Sequence, residues 1–353
     1  MLTLSQQHSE RNYTSRQVAQ KNAIPILLFF ALISIFFSVS QGAVDVPIAK
    51  LPKYLWQFFA TDKTLTSAVI TEIRLPRVIL AAFVGAGLAC AGAVMQALFR
   101  NPLADPGLIG VSSGGALGAI TIIVLGSVLF TDFVNGLGIF AIPIGAMLGC
   151  LLVCALIYAL SVRKGNITII TLLLAGIAIN AIVGSIIGIF TLVSDDSQLR
   201  ELTFWSMGNL GGNNWQLTTP VLFLITFSIA GMLKLSKPLN LYLLGENQAG
   251  HLGLSVCRLK KKAFFYTALA VGAAVSISGI IGFVGFIVPH LIRIVIGPDH
   301  RYLLPASVLF GSSFLVLADT LARLVIIPAE LPIGLVTSAL GGPFFLILLY
   351  RKF

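Results

Sequence analysis

Charged residues are scarce in this sequence: Asp, Glu, Lys and Arg together make up 10% of its 353 residues. A soluble domain carries roughly 25% charged residues, and the mean hydropathy of +0.97 deviates in the same direction. The composition therefore excludes an ordinary soluble protein and predicts a chain embedded in a bilayer. The net charge of +10 does not indicate a nucleic-acid partner, because the basic residues lie in short loops between apolar runs.

The sequence also lacks the motifs of energy conversion and of hydrolysis. No Gly-Lys pair occurs, so the chain has no phosphate-binding GxxxxGK[ST] loop and is not itself an ATPase. No HExxH motif occurs, which excludes a metalloprotease of that type. A proton- or sodium-coupled carrier usually keeps a carboxylate near the membrane midplane, and here only Asp319 comes close. A secondary carrier or channel is therefore the weaker alternative, and the energy for any transport must come from another chain.

Cysteine is rare as well, with four in the chain. Cys90, Cys150 and Cys154 lie in apolar runs, where cysteine behaves as a small hydrophobe. Cys257 lies in a predicted cytoplasmic loop, where disulfides rarely persist. We therefore expect no disulfide and no metal site at these cysteines. No permanently bound cofactor is expected either.

Long apolar runs, in contrast, are abundant. A transmembrane helix needs about 20 mostly apolar residues, and the sequence offers ten candidates. They cover residues 23–40, 78–99, 108–130, 139–161, 168–193, 217–235, 263–282, 283–297, 303–322 and 333–350. The predicted fold is an all-α polytopic membrane protein, with a cytoplasmic segment at 1–22 and a single transmembrane domain at 23–353. Most of the lysines and arginines fall in inner segments if both termini are cytoplasmic.

The longest predicted cytoplasmic loop, residues 234–262, is too apolar for a solvated linker. Its leucines include Leu239, Leu243 and Leu252, and they need cover. A pair of short amphipathic helices resting on a partner protein would provide that cover. Contact with lipid headgroups is the alternative.

A second cytoplasmic stretch, NPLADPGLIG at residues 101–110, interrupts two apolar runs with two prolines, a carboxylate and two glycines. Proline lacks an N–H and disfavours helix at the residue before it, so the stretch predicts a non-helical loop. Non-helical backbone at membrane depth is tolerated where it lines a cavity. A tight connector between two membrane helices is the alternative.

Two further places carry polar groups beside a possible transport path. Asn180 lies on a glycine-rich helix face, where its amide either bonds to another helix or faces a water-filled path. Arg200, Phe204 and Trp205 lie in the outer segment 194–215 and suggest a short helix at the mouth of the path. Interfacial anchoring is the alternative for the two aromatic residues.

Three arginines break the topology rule, because Arg74, Arg77 and Arg323 lie at the predicted outer ends of spans. Arginine pairs with carboxylates through two parallel hydrogen bonds, so these guanidiniums suggest an acidic protein partner outside the membrane. Contact with headgroup phosphates, or a local pair with Glu72 or Asp319, is the alternative.

Several of these stretches carry a family resemblance. Residues 74–119, RLPRVILAAFVGAGLACAGAVMQALFRNPLADPGLIGVSSGGALGA, resemble the signature region of the FecCD-type permeases of iron-siderophore, haem and cobalamin ABC importers. Further matches are LLLAG (172–176), LGENQAGHLGL (244–254), GFVGFIVPHLIRIVIGPDHRYLLPAS (282–307), LADTLAR (317–323) and PAELPIGLVTSALGGPFFLILLY (328–350). The resemblance covers nearly everything after residue 70.

The resemblance implies a ten-span, cobalamin-permease-like subunit with short re-entrant and coupling helices in the bacterial inner membrane. Its implied partners are a second copy of the chain, two cytoplasmic ATPase subunits that hold ATP-Mg, a periplasmic binding protein and membrane lipid. The permease itself is then no enzyme.

The resemblance also assigns roles to individual residues. The implied cytoplasmic gate consists of Asn101, Pro102 and Leu103 together with Asn166 and Thr168. The implied ATPase contacts are Gly245, Glu246, Ala249, Leu252, Gly253 and Leu254, within a coupling loop at about 236–262. Arg74, Arg77 and Arg323 match arginines that receive acidic residues of the binding protein.

The cargo is the least constrained part of the prediction. Residues 194–215 resemble haem permeases more than cobalamin or catecholate permeases. Haem is a flat apolar ring with two carboxylates, which suits an opening lined by aromatic residues and arginine. Ferric siderophores and cobalamin remain the alternatives.

Overall fold

The computed structural model describes residues 4–352 except 43–45, 47, 58–63, 164–165 and 328. The first half contains α1 (Leu4–Ser40), a 3-10 turn (Ile48–Lys50), α2 (Leu51–Trp56), α3 (Leu65–Ala68), a π-helical turn (Val69–Arg74), α4 (Leu75–Phe99), a 3-10 turn (Pro106–Ile109), α5 (Val111–Leu129), α6 (Thr131–Leu137), a 3-10 turn (Gly138–Phe140), α7 (Ala141–Ser161), β1 (Val162–Arg163) and β2 (Asn166–Ile167). The second half contains α8 (Ile169–Val193), α9 (Asp196–Ser206), α10 (Trp215–Leu233), α11 (Ser236–Tyr242), α12 (Glu246–His251), α13 (Val256–Ser278), α14 (Val284–Ile296), α15 (His300–Leu324) and α16 (Ile333–Lys352).

The predicted all-α membrane fold is confirmed, and each of the ten predicted spans coincides with a helix. Seven helices of the described part are long and apolar enough to cross a membrane, and Val284–Ile296 and Ile333–Leu348 are shorter apolar helices. The tenth, α13, begins with basic residues and continues as the apolar seventh span. Between α7 and α8 the chain forms a two-residue antiparallel ladder, β1 with β2.

The predicted start of the second span, at residue 78, is wrong. The helix extends back to Leu65 through the π-helical turn Val69–Arg74. Pro76 lies inside this continuous helix, directly after the π-helical turn and at the second residue of α4.

Helix α4 forms the centre of the molecule and is buried over almost its whole length. It packs against α10, α13, α14 and α15. Gly85 lies so close to the backbone of Gly311 in α15 that an added Cβ would collide with it, and Gly92 meets Gly285 of α14 in the same way. Small residues let membrane helices approach closely, so these two crossings fix α4 between its neighbours.

Two glycines of α5, four residues apart, also allow a neighbouring helix to pack closely. Gly114 and Gly118 lie against the backbone of Gly149 and Gly145 in α7. On α8 the corresponding glycines behave differently, since Gly184 and Gly188 meet nothing within 4 Å. Of the seven long apolar helices, α8 is also the least buried.

The two ends of α4 define two regions of the molecule. Arg77 and Arg100 are 23 residues apart, which corresponds to about 35 Å along a helix and spans a membrane. We call the region around Arg77 the arginine end and the region around Arg100 the coupling end. Helix α1 ends at the arginine end, where Arg74 binds its last carbonyls, and α16 begins there, since Ile333 donates to Gly208. Both terminal helices therefore extend from the arginine end toward the coupling end.

Candidate functional site

At the arginine end, an ionic cluster surrounds Asp319. The Nε of Arg77 lies 3.1 Å from both carboxylate oxygens of Asp319, and its Nη2 lies 2.9 Å from Oδ1. The Nε of Arg323 lies 3.2 Å from Oδ2 of the same carboxylate, one helical turn away. Asp319 is 1% exposed. One buried carboxylate thus joins α4 to α15 through two guanidiniums.

The prediction that the three arginines face outward is wrong. Arg77 and Arg323 are buried around Asp319, and Arg74 is buried with its Nη1 donating to the carbonyls of Val39 and Ser40 at 3.1 Å each. For Arg77 and Arg323 the cause is the local pair with Asp319, which the sequence left as an alternative. Arg74 instead binds the last carbonyls of α1. The open member of the cluster is a carboxylate: Glu330 is 47% exposed and holds Nη1 of Arg77 at 2.7 Å.

An opening at the arginine end lies beside this cluster, and we call it the mouth. Helix α9 and the segment that follows it form this opening. Helix α9 begins with a capping box, in which Asp195 accepts from the N–H groups of Ser197 and Gln198 while Gln198 accepts from Asp195 N–H. These bonds, led by the one from Gln198, lower the pKa of Asp195. The segment that follows is held by backbone bonds from Asn209 N to Ser278 O at 2.8 Å and from Gly334 N to Met207 O at 3.1 Å.

The mouth contains a cavity of about 400 Å³. Arg200, Phe204 and Trp205 all line it, together with Glu201 and Ile277. Three of the four predicted pathway residues therefore share one cavity. Asn180 lies elsewhere: its Oδ1 accepts from Ser113 Oγ of α5 at 2.5 Å, so its amide bonds across helices.

The first gate segment, residues 101–103, is a hydrogen-bonded turn at the coupling end. Asn101 Oδ1 accepts from Leu103 N–H at 2.9 Å, and Asn101 O accepts from Ala104 N–H at 3.1 Å. Asp105 then caps the 3-10 turn Pro106–Ile109 through Gly107 N–H at 2.7 Å. The prolines and the Asn and Asp side chains hold this stretch out of helix, as the sequence predicted.

The second gate segment, residues 166–171, forms the step from the β1–β2 ladder into α8. Thr168 is exposed, and the Asn166 side chain lies outside the described residues. Thr168 lines a cavity of about 490 Å³ with Glu246, Asn247 and Lys260. The structure thus brings the second gate segment next to the predicted ATPase contacts.

The coupling segment, residues 236–262, contains the two expected short helices α11 and α12. Gly245, at φ 124°, turns the chain into α12, and Gly253, at φ 84°, ends it. Ala249 is buried and Leu254 half-buried, so these two predicted contacts pack inward. Leu243, Leu244 and Leu252, the last 60% exposed, remain uncovered.

Glu246 carries the main charge contact of α12. It pairs with Lys260 Nζ at 2.7 Å and accepts from the Tyr242 hydroxyl at 2.9 Å. Burial opposes its ionisation, but the bonds from Lys260 and Tyr242 outweigh burial and lower the pKa of Glu246. The sequence did not single out Lys260 or Tyr242, because each looks like an ordinary loop residue. No group of His, Cys, Asp and Glu suited to a metal ion occurs among the described residues.

The cluster at the arginine end predicts a large difference between its two acids. Asp319→Asn leaves two buried guanidiniums without their carboxylate, and we expect a loss of about 3–5 kcal/mol in unfolding free energy. Glu330→Gln, the matched control, breaks a half-exposed pair and should cost no more than about 1 kcal/mol. Unfolding in detergent measures both, and equal losses in the two variants would contradict the assignment.

Comparison with known proteins agrees with this geometry. The model of the FecCD transport family matches residues 29–351. The chain is 43% identical to the hemin transport system permease protein HmuU of Yersinia pestis over 95% of this chain and 97% of that protein. It is 41% identical to the cobalamin import system permease protein BtuC of Halobacterium salinarum over 80% of this chain and 73% of that protein.

A solved structure, described as an inward-facing conformation of a metal-chelate type ABC transporter, is similar throughout. Its TM-score is 0.80 at 30% identity, over 94% of this chain and 99% of the other. The family model covers most of the chain and the identities are high over nearly full lengths. The chain therefore belongs to the FecCD transport family and is a permease of an ABC importer.

Proposed function

We propose that this permease moves haem or a related ferric chelate across the bacterial inner membrane, with energy from a separate ATPase subunit that holds ATP-Mg. The observation that carries the proposal is the arrangement at the coupling end. The turn at 101–103, the step from β2 into α8 and the coupling segment lie together there, and the coupling segment leaves Leu243, Leu244 and Leu252 uncovered. The proposal has this end and both termini in the cytoplasm.

The mouth cavity supports haem as the cargo. A haem would lay its ring against Phe204 and Trp205 and direct a carboxylate to Arg200, which all line the same cavity. The 43% identity to a hemin permease agrees with this choice. A ferric siderophore or cobalamin is the second candidate, favoured by the 41% identity to a cobalamin permease.

We expect haem to accumulate in proteoliposomes only when the permease, its ATPase, ATP-Mg and a haem-loaded binding protein are all present. An ATPase variant that binds ATP without hydrolysing it is the matched control and should give no uptake. Haem uptake without ATP would indicate a carrier and contradict the proposal. Uptake of cobalamin or a ferric siderophore in place of haem would overturn the cargo assignment alone.

The permease acts as a homodimer in this proposal. Helix α8 offers a surface for the second copy, because Gly184 and Gly188 are open while Ile177 and Ile189 beside them are exposed. Small residues on an open membrane helix allow another helix to approach closely.

The ATPase rests on Leu243, Leu244 and Leu252 in the same proposal. Leu252→Asp places a charge on this apolar surface, so we expect the ATPase to dissociate while the permease stays folded in the membrane. Leu252→Met keeps the apolar surface and is the matched control. Co-purification from detergent measures both variants, and an intact, active complex with Leu252→Asp would rule out this contact.

The binding protein docks at the arginine end, where we propose that one of its acidic side chains replaces Glu330 on Arg77. Support comes from the geometry: Glu330 is the exposed partner of Arg77, while Asp319 and Arg323 stay buried. Glu330 would thus occupy the binding position on Arg77 in the free permease and compete with the partner's carboxylate for the same guanidinium.

Removing the Glu330 carboxylate should speed docking of the binding protein. We expect Glu330→Gln to raise the association rate of the binding protein, because rim charges act mainly on association rate and salt dependence. Asp132→Asn removes an exposed carboxylate elsewhere on the chain and should leave the rate unchanged. Surface-binding kinetics over a salt titration measure both. A slower or unchanged rate with Glu330→Gln would contradict the docking site.

A further inference from the structure

The start of the first gate segment is tied to the coupling segment. Arg100, the residue before Asn101, donates from Nη2 to the Tyr242 carbonyl at 2.7 Å. Its guanidinium also lies over the Tyr242 ring, 4.5 Å from the centroid, within the range of a cation–π contact. The last turn of α11 therefore holds the side chain of the residue where α4 ends.

Arg100 also marks the turn by which the backbone leaves α4. Its φ of 49° is one of two positive values among the described non-glycine residues. A left-handed arginine is uncommon and carries a conformational cost. At this position the chain leaves α4 and enters the gate loop, so a pull on the Arg100 side chain acts where the loop direction is set.

The second gate segment is tied to the same helices. Lys260 Nζ donates to the Ile167 carbonyl at 3.0 Å and pairs with Glu246 at 2.7 Å. Ile167 is the residue directly before Thr168. Tyr242 completes the connection, since its hydroxyl donates to Glu246 at 2.9 Å and its ring lies 5.9 Å from Lys260 Nζ.

Lys260 is buried, so its ammonium group depends on the partners that the protein supplies. Lys260 is 5% exposed, whereas Lys261 and Lys262 beside it are exposed. A buried ammonium needs a charge partner and hydrogen-bond acceptors, and Glu246 and Ile167 provide them. The Glu246 side chain is 44% exposed on the surface of α12. The network thus runs from an accessible carboxylate to two backbone positions at the gates.

We propose that Lys260 and Arg100 are positioning residues of transport, which tie the second and first gate segments to the coupling segment through Glu246 and Tyr242. A displacement of α11 and α12 then moves both gates together. This inference rests on the proposed function, because it takes the ATPase to be what displaces those helices.

Transport per ATP is the first test. Lys260→Met should lower cargo uptake per ATP hydrolysed by about tenfold, a typical coupling between sites, while the ATPase stays bound and active. Glu246→Gln cuts the same contact from its exposed side and should act in the same direction. Lys261→Met removes an equal charge from the neighbouring position and should keep the wild-type ratio.

Gate movement is the second test, and a purely structural role would not produce its pattern. In a Cys257→Ser background, Thr168→Cys and Leu103→Cys should each change reactivity toward a polar thiol reagent when ATP binds. Lys260→Met should abolish the change at position 168 and spare position 103. Arg100→Met should do the reverse.

The outcomes distinguish a failure of this inference from a failure of the proposed function. This inference would be overturned, while the proposed function stands, by an unchanged uptake ratio in Lys260→Met and Glu246→Gln. It would also be overturned if the nucleotide response survived at position 168 in Lys260→Met and at position 103 in Arg100→Met. A wild-type permease that binds no ATPase would overturn the proposed function and this inference with it.

Discussion

The close packing of α4 is the constraint on which the rest of the structure depends. In a bilayer every backbone polar group must be satisfied internally, so a spanning helix is a stiff element. Gly85 and Gly92 let α15 and α14 pack directly on it, and nearly all of its residues are buried. One stiff helix therefore runs from the arginine end to the coupling end and gives the segments around it a fixed reference.

The two ends use charge in opposite ways. At the arginine end, Asp319 fixes Arg77 and Arg323 in the interior, which holds α4 and α15 in one arrangement. At the coupling end, Glu246 is half-exposed and Arg100 reaches a carbonyl and a ring. The first set can hold its helices in place through a transport cycle, and the second joins segments that can move as a group.

Much of the fold could be predicted from the sequence, because apolar runs of membrane length permit few structures. The gate turn was predictable too, since proline, Asn and Asp act locally. The helix from Leu65 to Arg77 was missed because it carries charged residues at Glu72, Arg74 and Arg77 and so does not form an apolar run. The sequence could not decide that Arg77 is buried, because its pair with Asp319 joins two helices that are distant in the sequence. Lys260 could not be distinguished from Lys261 and Lys262, since only packing buries one of the three.

The central claim is that the coupling segment and the gates move as one unit against the fixed part of the molecule. The most direct measurement places spin labels at 168 and 247, and at 168 and 132, in one subunit of the assembled transporter. We predict that the 168–247 distance stays constant between the nucleotide-free and ATP-bound states, while the 168–132 distance changes. A change in the 168–247 distance with 168–132 held constant would contradict the account.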